Sequence, residues 1–367
     1  DGIAGVVVPR QNAEEASLVG GVEVIGASHL VEALAFASGE MAPEVTPPPT
    51  EYLFRCEDVR GPDLAEVRGQ ALARRALEIA AAGGHNLLMV GPPGSGKTML
   101  ARRLPGILPP MTIEEALEVT HIWSVAGLLR PGRPLVSARP FRSPHHHASP
   151  ASIIGGGSPY ARPGEISLAH NGVLFLDEIP LFSRATLDGL RQPLEDGEVI
   201  VARQGSTARF PSRFALVAAA NPCPCGRLGD RSSPCICPPG RFEAYRSRLS
   251  GPLLDRFDLF ADVPRLDTSE MLEAQTGEAS GEVRQRMVAA RRFAGNRPPH
   301  DEADPLSELT VPARHFIRAA LTREPESARG AGRILKLART IADLAGAELI
   351  EEEHVAEAVQ FRRIVWS

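Results

Sequence analysis

The chain has 367 residues, 43% of them hydrophobic and 23% charged, with a formal net charge of −5. These values describe a globular protein of two or three domains and exclude one coated in positive charge, so any nucleic-acid contact has to be local. No run of 18 apolar residues occurs, and five cysteines are too few for a disulfide scaffold, so a cytoplasmic protein without a membrane span is expected. Only Lys97 and Lys336 are lysines, against 38 arginines, as a GC-rich genome would give. No signal peptide is recognised, and the start at Asp1 reads as a partial chain.

Residues 1–45 predict a βαβα fragment. "GVVVP" and "GVEVIG" read as strands, and "NAEEASLV" and "HLVEALAFA" as helices with Asn12 and Ser28 as N-caps. The fragment is too short to bury a core alone. "MAPEVTPPPT" reads as a proline-rich linker, and the linker is placed at 46–66. From 67 to 266 strands and helices alternate, which predicts a parallel α/β sheet. Its strands are expected in "NLLMV", "GVLFLDE", "FALVAAAN" and "DLFADV", continuously apolar as strands buried on both faces must be. Residues 267–305 are polar and predict a linker with a helix. Residues 306–367, with "AGRILKLARTIADLAG" and "EEEHVAEAVQFRR", predict a helical lid.

Between the first of these strands and a helix lies "GPPGSGKT": Gly91, Pro92, Pro93, Gly94, Ser95, Gly96, Lys97 and Thr98. The glycines let successive N–H groups turn inward on a phosphate. Lys97 adds a point charge, and Thr98 offers a hydroxyl to Mg²⁺. The helix "GKTMLARRL" is expected to follow, presenting its positive end to the same anion. "GVLFLDE" ends in two carboxylates, with Asp177 suited to the Mg²⁺ shell and Glu178 to polarising a water. Asn221 ends "FALVAAAN", Arg256 lies in "SGPLLDRFD", and Arg329 in "SARGAGR". Each of these three taken alone also fits a structural role.

In that order the motifs are similar to those of AAA+ ATPases. "AAAGGHNLLMVGPPGSGKTMLARRLPGILPP", "RPFRSPHHHAS", "GGGSPYARPGEISLAHNGVLFLDEIP", "FALVAAANPCPCG" and "LSGPLLDRFDL" resemble the ComM/YifB family of magnesium-chelatase-like proteins. The resemblance implies a P-loop parallel sheet with a C-terminal helical lid, preceded by the end of a Lon-protease-like, S5-like α/β domain in 1–45. It implies ATP and Mg²⁺ as cofactors, a hexameric ring of identical subunits, and DNA, single-stranded or branched, as partner. A helicase promoting branch migration in natural transformation is the implied activity. Lys97, Thr98, Asp177 and Glu178 then match the Walker residues, Asn221 sensor 1, Arg256 a finger acting on the neighbouring subunit, and Arg329 sensor 2. A third histidine in "HHHAS" and the glycines of "GAG" depart from the family pattern.

"CPCGRLGDRSSPCIC" sets Cys223, Cys225, Cys235 and Cys237 as two C-x-C pairs, a Zn²⁺ ligand set or, alternatively, reduced thiols in a proline- and glycine-rich loop. Cys56 stands apart as a linker or core residue. From 199 to 250 eight arginines face Asp230 and Glu243, a local +6. Within it "GEVIVARQGSTARFPSRF" predicts a hairpin whose Arg203 and Arg209 would meet DNA phosphates, or form an ordinary solvated face. In "SPHHH" (143–147) a strand would let only His145 and His147 share a face.

Four functions are weighed: a DNA-remodelling motor, a metal-insertion subunit of the magnesium-chelatase type, a Lon-type protease, and a nucleotide-binding scaffold without turnover. The cysteine group and the Lon-like leader favour the first. Protease chemistry needs a serine–lysine dyad, and residues 1–45 contain no lysine. The intact Asp177–Glu178 pair argues against the scaffold.

Overall fold

Gly5–Pro9 (β1) and Glu23–Ala27 (β2) pair in parallel, with Gly5 opposite Glu23 and Pro9 opposite Ala27. The computed structural model describes residues 3–17, 21–42, 44–47, 61–129, 135–157, 161–203, 206–229, 234–266, 276–295, 306–323 and 328–363. They divide into two units, one drawn from 1–60 and 110–139 and the other from 61–109 and 140–367. In the first unit the β1–β2 crossover is a 3₁₀ turn, Arg10–Asn12, and a short helix, Ala13–Ser17. Ala13 and Val24 are the buried apolar residues among its described residues in 3–47. The following helix, Leu30–Ser38, begins after His29 and not after Ser28. The Ser28 backbone N–H donates to Glu32 Oε2 at 2.6 Å. Val45 bridges Ile25, and the Thr46 N–H donates to the Val24 carbonyl at 2.8 Å. The first residues of the expected linker therefore run along β2, while Cys56 and residues 48–60 lie outside the described residues. The unit also holds the helix Ile113–Val125, entered through a reciprocal Thr112–Glu115 capping box.

The second unit contains the remaining strands. They are β3 (Leu87–Val90), β4 (Phe141–Arg142), β5 (Gly155–Gly156), β6 (Arg162–Pro163), β7 (Val173–Leu176), β8 (Glu198–Arg203), β9 (Ser206–Pro211), β10 (Ala215–Ala220) and β11 (Leu259–Asp262). Five form one parallel sheet in the order β11-β3-β10-β7-β4. All residues of β3 and β7 are buried, which explains their unbroken apolar sequence. Alternate side chains feed two cores. Leu87, Met89, Phe175, Val217 and Leu259 pack on one face, and Leu88, Val90, Leu174, Leu176 and Leu216 on the other. Strand β4 was not expected from sequence, being two residues long. It is held by Phe141 stacking on Phe175 at 6.0 Å and by Gly172, where any Cβ would lie 2.1 Å from the Pro140 carbonyl oxygen.

Two sequence expectations are corrected here. Residues 63–66, expected as linker, are packed: Leu64 is fully buried, and Asp63 accepts N–H groups of Ala65 and Ser280. The helix expected within 267–305 is Ser280–Gly295, which buries Val283, Met287 and Ala290 in this unit. The helix after the glycine-rich loop breaks into Lys97–Ala101 and Leu104–Ile107. Pro105 lacks the N–H that would bond the Ala101 carbonyl, so the turn tightens, with the Arg103 N–H donating to Leu100. Helices Val311–Arg323, Ala328–Ala345 and Glu352–Arg362 complete the unit, the second running unbroken through Gly330 and Gly332. No helix among the described residues is long and apolar enough to cross a membrane.

Candidate functional site

The parallel order sets the C-terminal ends of β3, β10 and β7 side by side. Their registers, Val90 opposite Ala220 and Leu176 opposite Ala218, align the residues that follow each strand. After β3 the chain turns sharply. Gly91 approaches β11 so closely that a Cβ would lie 2.1 Å from the Val263 carbonyl oxygen. Gly94 and Gly96 take positive φ, 76° and 98°, the left-handed region where a Cβ is penalised. The loop thereby presents Lys97 and Thr98 at the start of a helix.

Lys97 Nζ donates to the carbonyls of Gly91 (2.6 Å) and Pro92 (2.9 Å) and lies 3.4 Å from Asn221 Oδ1. Burial pushes its pKa down, opposed by the charges of Asp177 and Glu178. Thr98 Oγ1 donates to Asp177 Oδ2 at 2.7 Å. Two oxygens on neighbouring corners of an octahedral Mg²⁺ would be about 2.9 Å apart, so this pair fits such an ion. Glu178 sits at φ 51°, in the left-handed region, with its N–H donating to Asp177 Oδ1 at 3.0 Å. A non-glycine residue held there is strained by about 1–3 kcal/mol, a situation concentrated at functional sites. Its carboxylate is half exposed and lies 3.9 Å from His146 Nδ1. The structure thus brings Lys97, Thr98, Asp177, Glu178 and Asn221 to one end of the sheet.

Arg256 is elsewhere. Asn86, the residue before β3, donates from Nδ2 to the Arg256 carbonyl at 2.8 Å. Arg256 therefore stands at the N-terminal end of the strand whose C-terminal end bears the loop. Four strand residues span about 13 Å, and the guanidinium is turned to Glu195 in an ion pair. Arg329 is exposed in the first turn of Ala328–Ala345. No hydrogen bond or ion pair among the described residues joins it to Lys97, Thr98, Asp177 or Glu178.

The four cysteines converge. Their sulfurs all lie within 4.8 Å of one another, with Cys223–Cys225 at 3.4 Å, and Cys225–Cys235 and Cys235–Cys223 at 3.6 Å. A tetrahedral Zn²⁺ at 2.3 Å from each thiolate would set sulfurs about 3.8 Å apart, so the donor set fits the ion. The Leu228 N–H donates to Cys223 at 3.3 Å. Hydrogen bonds from the backbone N–H groups of Ile236 and then Arg227 lower the Cys225 pKa to about 6, while burial raises Cys237 to about 12. The group adjoins the phosphate end: Cys223 follows Asn221 by two residues, and Tyr245 donates its hydroxyl to the Asn221 carbonyl at 3.3 Å.

The hairpin is formed by β8 and β9, with Arg203 opposite Ser206 and Ile200 opposite Arg209. Gln204 and Gly205 of its expected turn lie outside the described residues. Val199, Val201 and Phe210 anchor it in the core, while the Arg209 side chain remains 71% exposed, 3.5 Å from Glu198. A second short hairpin, β5–β6, escaped sequence reading because its strands are two residues each, with three glycines at 155–157. The histidine expectation is overturned. Residues 143–147 form no strand, and the rings of His145, His146 and His147 gather with centroids 4.2–5.2 Å apart. Alternation along a strand does not apply to them. His146, next to Glu178, was not singled out by the sequence.

Comparison with known proteins matches this arrangement to two family models. Residues 63–271 match the magnesium chelatase subunit ChlI, and 277–362 its C-terminal part. The chain is 43% identical over 374 residues to the competence protein ComM of Haemophilus influenzae, covering 98% of this chain and 72% of ComM. It is 42% identical over 367 residues to YifB of Escherichia coli, covering 98% of this chain and 71% of YifB. To the magnesium-chelatase 38 kDa subunit of Cereibacter sphaeroides it is 25% identical, covering 78% and 86%. A glycine-rich loop, paired carboxylates and an asparagine on adjacent strand ends, carried on a parallel sheet with C-terminal helices, complete the description: the chain belongs to the ComM/YifB family of magnesium-chelatase-like AAA+ ATPases.

Proposed function

We propose that this protein is a ring-forming ATPase, of hexameric order, that couples ATP hydrolysis to DNA remodelling. The observation that carries the ATPase part is the convergence of Lys97, Thr98, Asp177, Glu178 and Asn221 at the ends of β3, β7 and β10. Lys97 and the backbone of 91–98 bind the phosphates. Thr98 and Asp177 would hold Mg²⁺, which when bound would supply positive charge against that of the phosphates. Glu178 polarises the attacking water, and Asn221 orients it beside the terminal phosphate. Arg256, at the far end of the sheet from its own loop, serves the nucleotide of the next subunit; this supports a ring. Arg329 acts from the helical region as a second sensor. The four cysteines hold one structural Zn²⁺, which would supply a rigid cross-link to a loop of little apolar content. Residues 67–266 form the ATPase core, 306–367 the lid, and 1–45 the end of a Lon-like domain.

The DNA part rests on the arginine-rich stretch from 199 to 250 and on the name of ComM as a competence protein. The exposed hairpin is its contact surface, with Arg203 and Arg209 on phosphates. The match to a magnesium-chelatase subunit favours metal insertion as the second reading.

Two measurements separate these readings. Glu178→Gln is expected to bind ATP as the parent does and to hydrolyse it about 10²–10⁴ times more slowly; near-normal turnover would sink the assignment. Forked or single-stranded DNA is expected to stimulate the parent, with binding that weakens steeply as salt rises. Arg203→Ala with Arg209→Ala should abolish that response and leave ATP binding intact. Turnover indifferent to DNA overturns the motor and leaves metal insertion standing.

A further inference from the structure

The cysteine loop does not merely lie near the nucleotide site; it leans on it. Cys223 to Gly226 form a tight turn closed by the Gly226 N–H donating to the Cys223 carbonyl at 2.9 Å. At its end Gly226 is buried with φ 77°, and a Cβ there would lie 2.4 Å from Cδ and 2.7 Å from Cγ of Pro93, inside the glycine-rich loop. The same turn continues directly from Asn221, 3.4 Å from Lys97 Nζ. Downstream, the helix Pro239–Arg246 returns Tyr245 to the Asn221 carbonyl, and Arg248 Nη1 donates to the Pro180 carbonyl at 3.2 Å, just past Glu178. Residues 223–229 and 234–248 therefore contact Pro93 of the glycine-rich loop, the Asn221 carbonyl and Pro180 just past Glu178.

We propose that the four-cysteine centre is a brace for the phosphate loop. With Zn²⁺ held by Cys223, Cys225, Cys235 and Cys237, the turn 223–226 is fixed in place and Gly226 backs Pro93, presetting the loop for nucleotide. Without the metal, the turn and with it the backing of Pro93 relax, and nucleotide affinity falls. Gly226 and the cysteines are positioning residues: they touch neither phosphate nor water. The inference rests on the nucleotide-binding reading of residues 91–98.

Gly229 supplies the control. It has nearly the same left-handed φ, 79°, in the same loop, yet a Cβ there meets nothing within 4 Å. Alanine at either glycine carries the same backbone penalty, but only at 226 does it press on Pro93. The full chain, purified without a metal-binding tag, is titrated with a fluorescent ATP analogue in Mg²⁺ while zinc is measured by elemental analysis. The parent should carry one zinc per chain. Gly226→Ala should keep the zinc and bind the analogue roughly tenfold more weakly. Gly229→Ala should match the parent in both. Cys225→Ser should lose zinc and affinity together, and chelation of zinc from the folded parent should reproduce that loss without any substitution. Equal losses in Gly226→Ala and Gly229→Ala, undiminished affinity after the zinc is removed, or a parent with no zinc and four freely titrating thiols each overturn the brace. A parent that fails to bind the analogue at all overturns the nucleotide reading itself, a result distinct from tight binding that ignores the cysteine loop.

Discussion

The two ends of the central sheet are built from the same strands and differ in what they leave open. At the N-terminal end, Asn86 is fully engaged: its N–H donates to Asp258 Oδ2 (3.0 Å), its Nδ2 to the Arg256 carbonyl (2.8 Å), and its Oδ1 accepts from the Leu216 N–H (2.9 Å). Its carbonyl takes the N–H groups of both Asp258 and Leu259. The side chain thus ties the start of β3 to β10 and to the turn at Arg256, and the backbone carbonyl ties it to β11. At the C-terminal end the side chains engage one another only partly, Glu178 is strained and half exposed, and three loops supply the geometry. The first end spends its polar groups on holding strands together, and the second keeps them available for a ligand. Substitutions at the two ends should therefore fail in different ways, stability at one and chemistry at the other.

Arg256 is the exception that tests the contrast most severely. Although its backbone belongs to the stabilising end, Arg256→Ala is expected to slow ATP hydrolysis about 10³–10⁵-fold if it serves a neighbouring site. Mixing it with Lys97→Ala subunits should restore some turnover where an intact arginine meets an intact loop; if no mixture exceeds either variant alone, Arg256 belongs wholly to the structural end. Next in size, Asn86→Leu should destabilise the fold by about 2–4 kcal/mol in denaturant titration, since it strands the Leu216 N–H and the Arg256 carbonyl. A stability unchanged within 0.5 kcal/mol, a value about the size of an ordinary surface substitution, would break the comparison.

The smallest effect is electrostatic. His85 is completely buried beside Asp258 (3.6 Å) and hydrogen-bonded through Nε2 to Thr340 Oγ1 (2.8 Å), with Lys336 nearby. Burial pushes its pKa below the ordinary 6.5. Because the folded pKa is the lower one, the unfolded chain binds the proton more readily. The contribution of His85 is therefore complete above pH 6.5 and declines as pH falls below it. The thermal midpoint of the parent should drop on acidification through that window, and His85→Gln should flatten the slope.

Much of the architecture can be read from the chain because buried parallel strands and glycine-rich turns leave strong local signatures. "NLLMV", "GVLFLDE" and "FALVAAAN" each enclose an observed strand, and "GPPGSGKT" its loop. The rest depends on contacts distant in sequence. Strand order is invisible locally, and β4 exists only because Pro140 and Phe141 meet Gly172 and Phe175. Asn86 reads as an ordinary polar residue before a strand until Asp258 and Leu216 are set beside it. Proline content did not distinguish a free linker from residues 63–66, which are held by Ser280, over 200 positions away. At the candidate site, residue types in order suggested Lys97, Asp177 and Asn221 as neighbours. The proximity of His146 to Glu178 and the seating of Gly226 on Pro93 required the folded chain.

The order β11-β3-β10 also has a consequence for how the protein comes into being. Strand β3 is complete at Val90, but its two neighbours end only at Ala220 and Asp262. During synthesis, at about 5–20 residues per second, the apolar Leu87–Val90 segment waits roughly 10–30 s before both flanking strands have been made. Until residue 220 is made its backbone groups lack both sheet partners, and until residue 262 they lack β11. A chain cut short before residue 215 would carry the phosphate loop on a β3 with neither sheet neighbour. The timing of translation across residues 90–262 thus bears directly on the yield of active molecules.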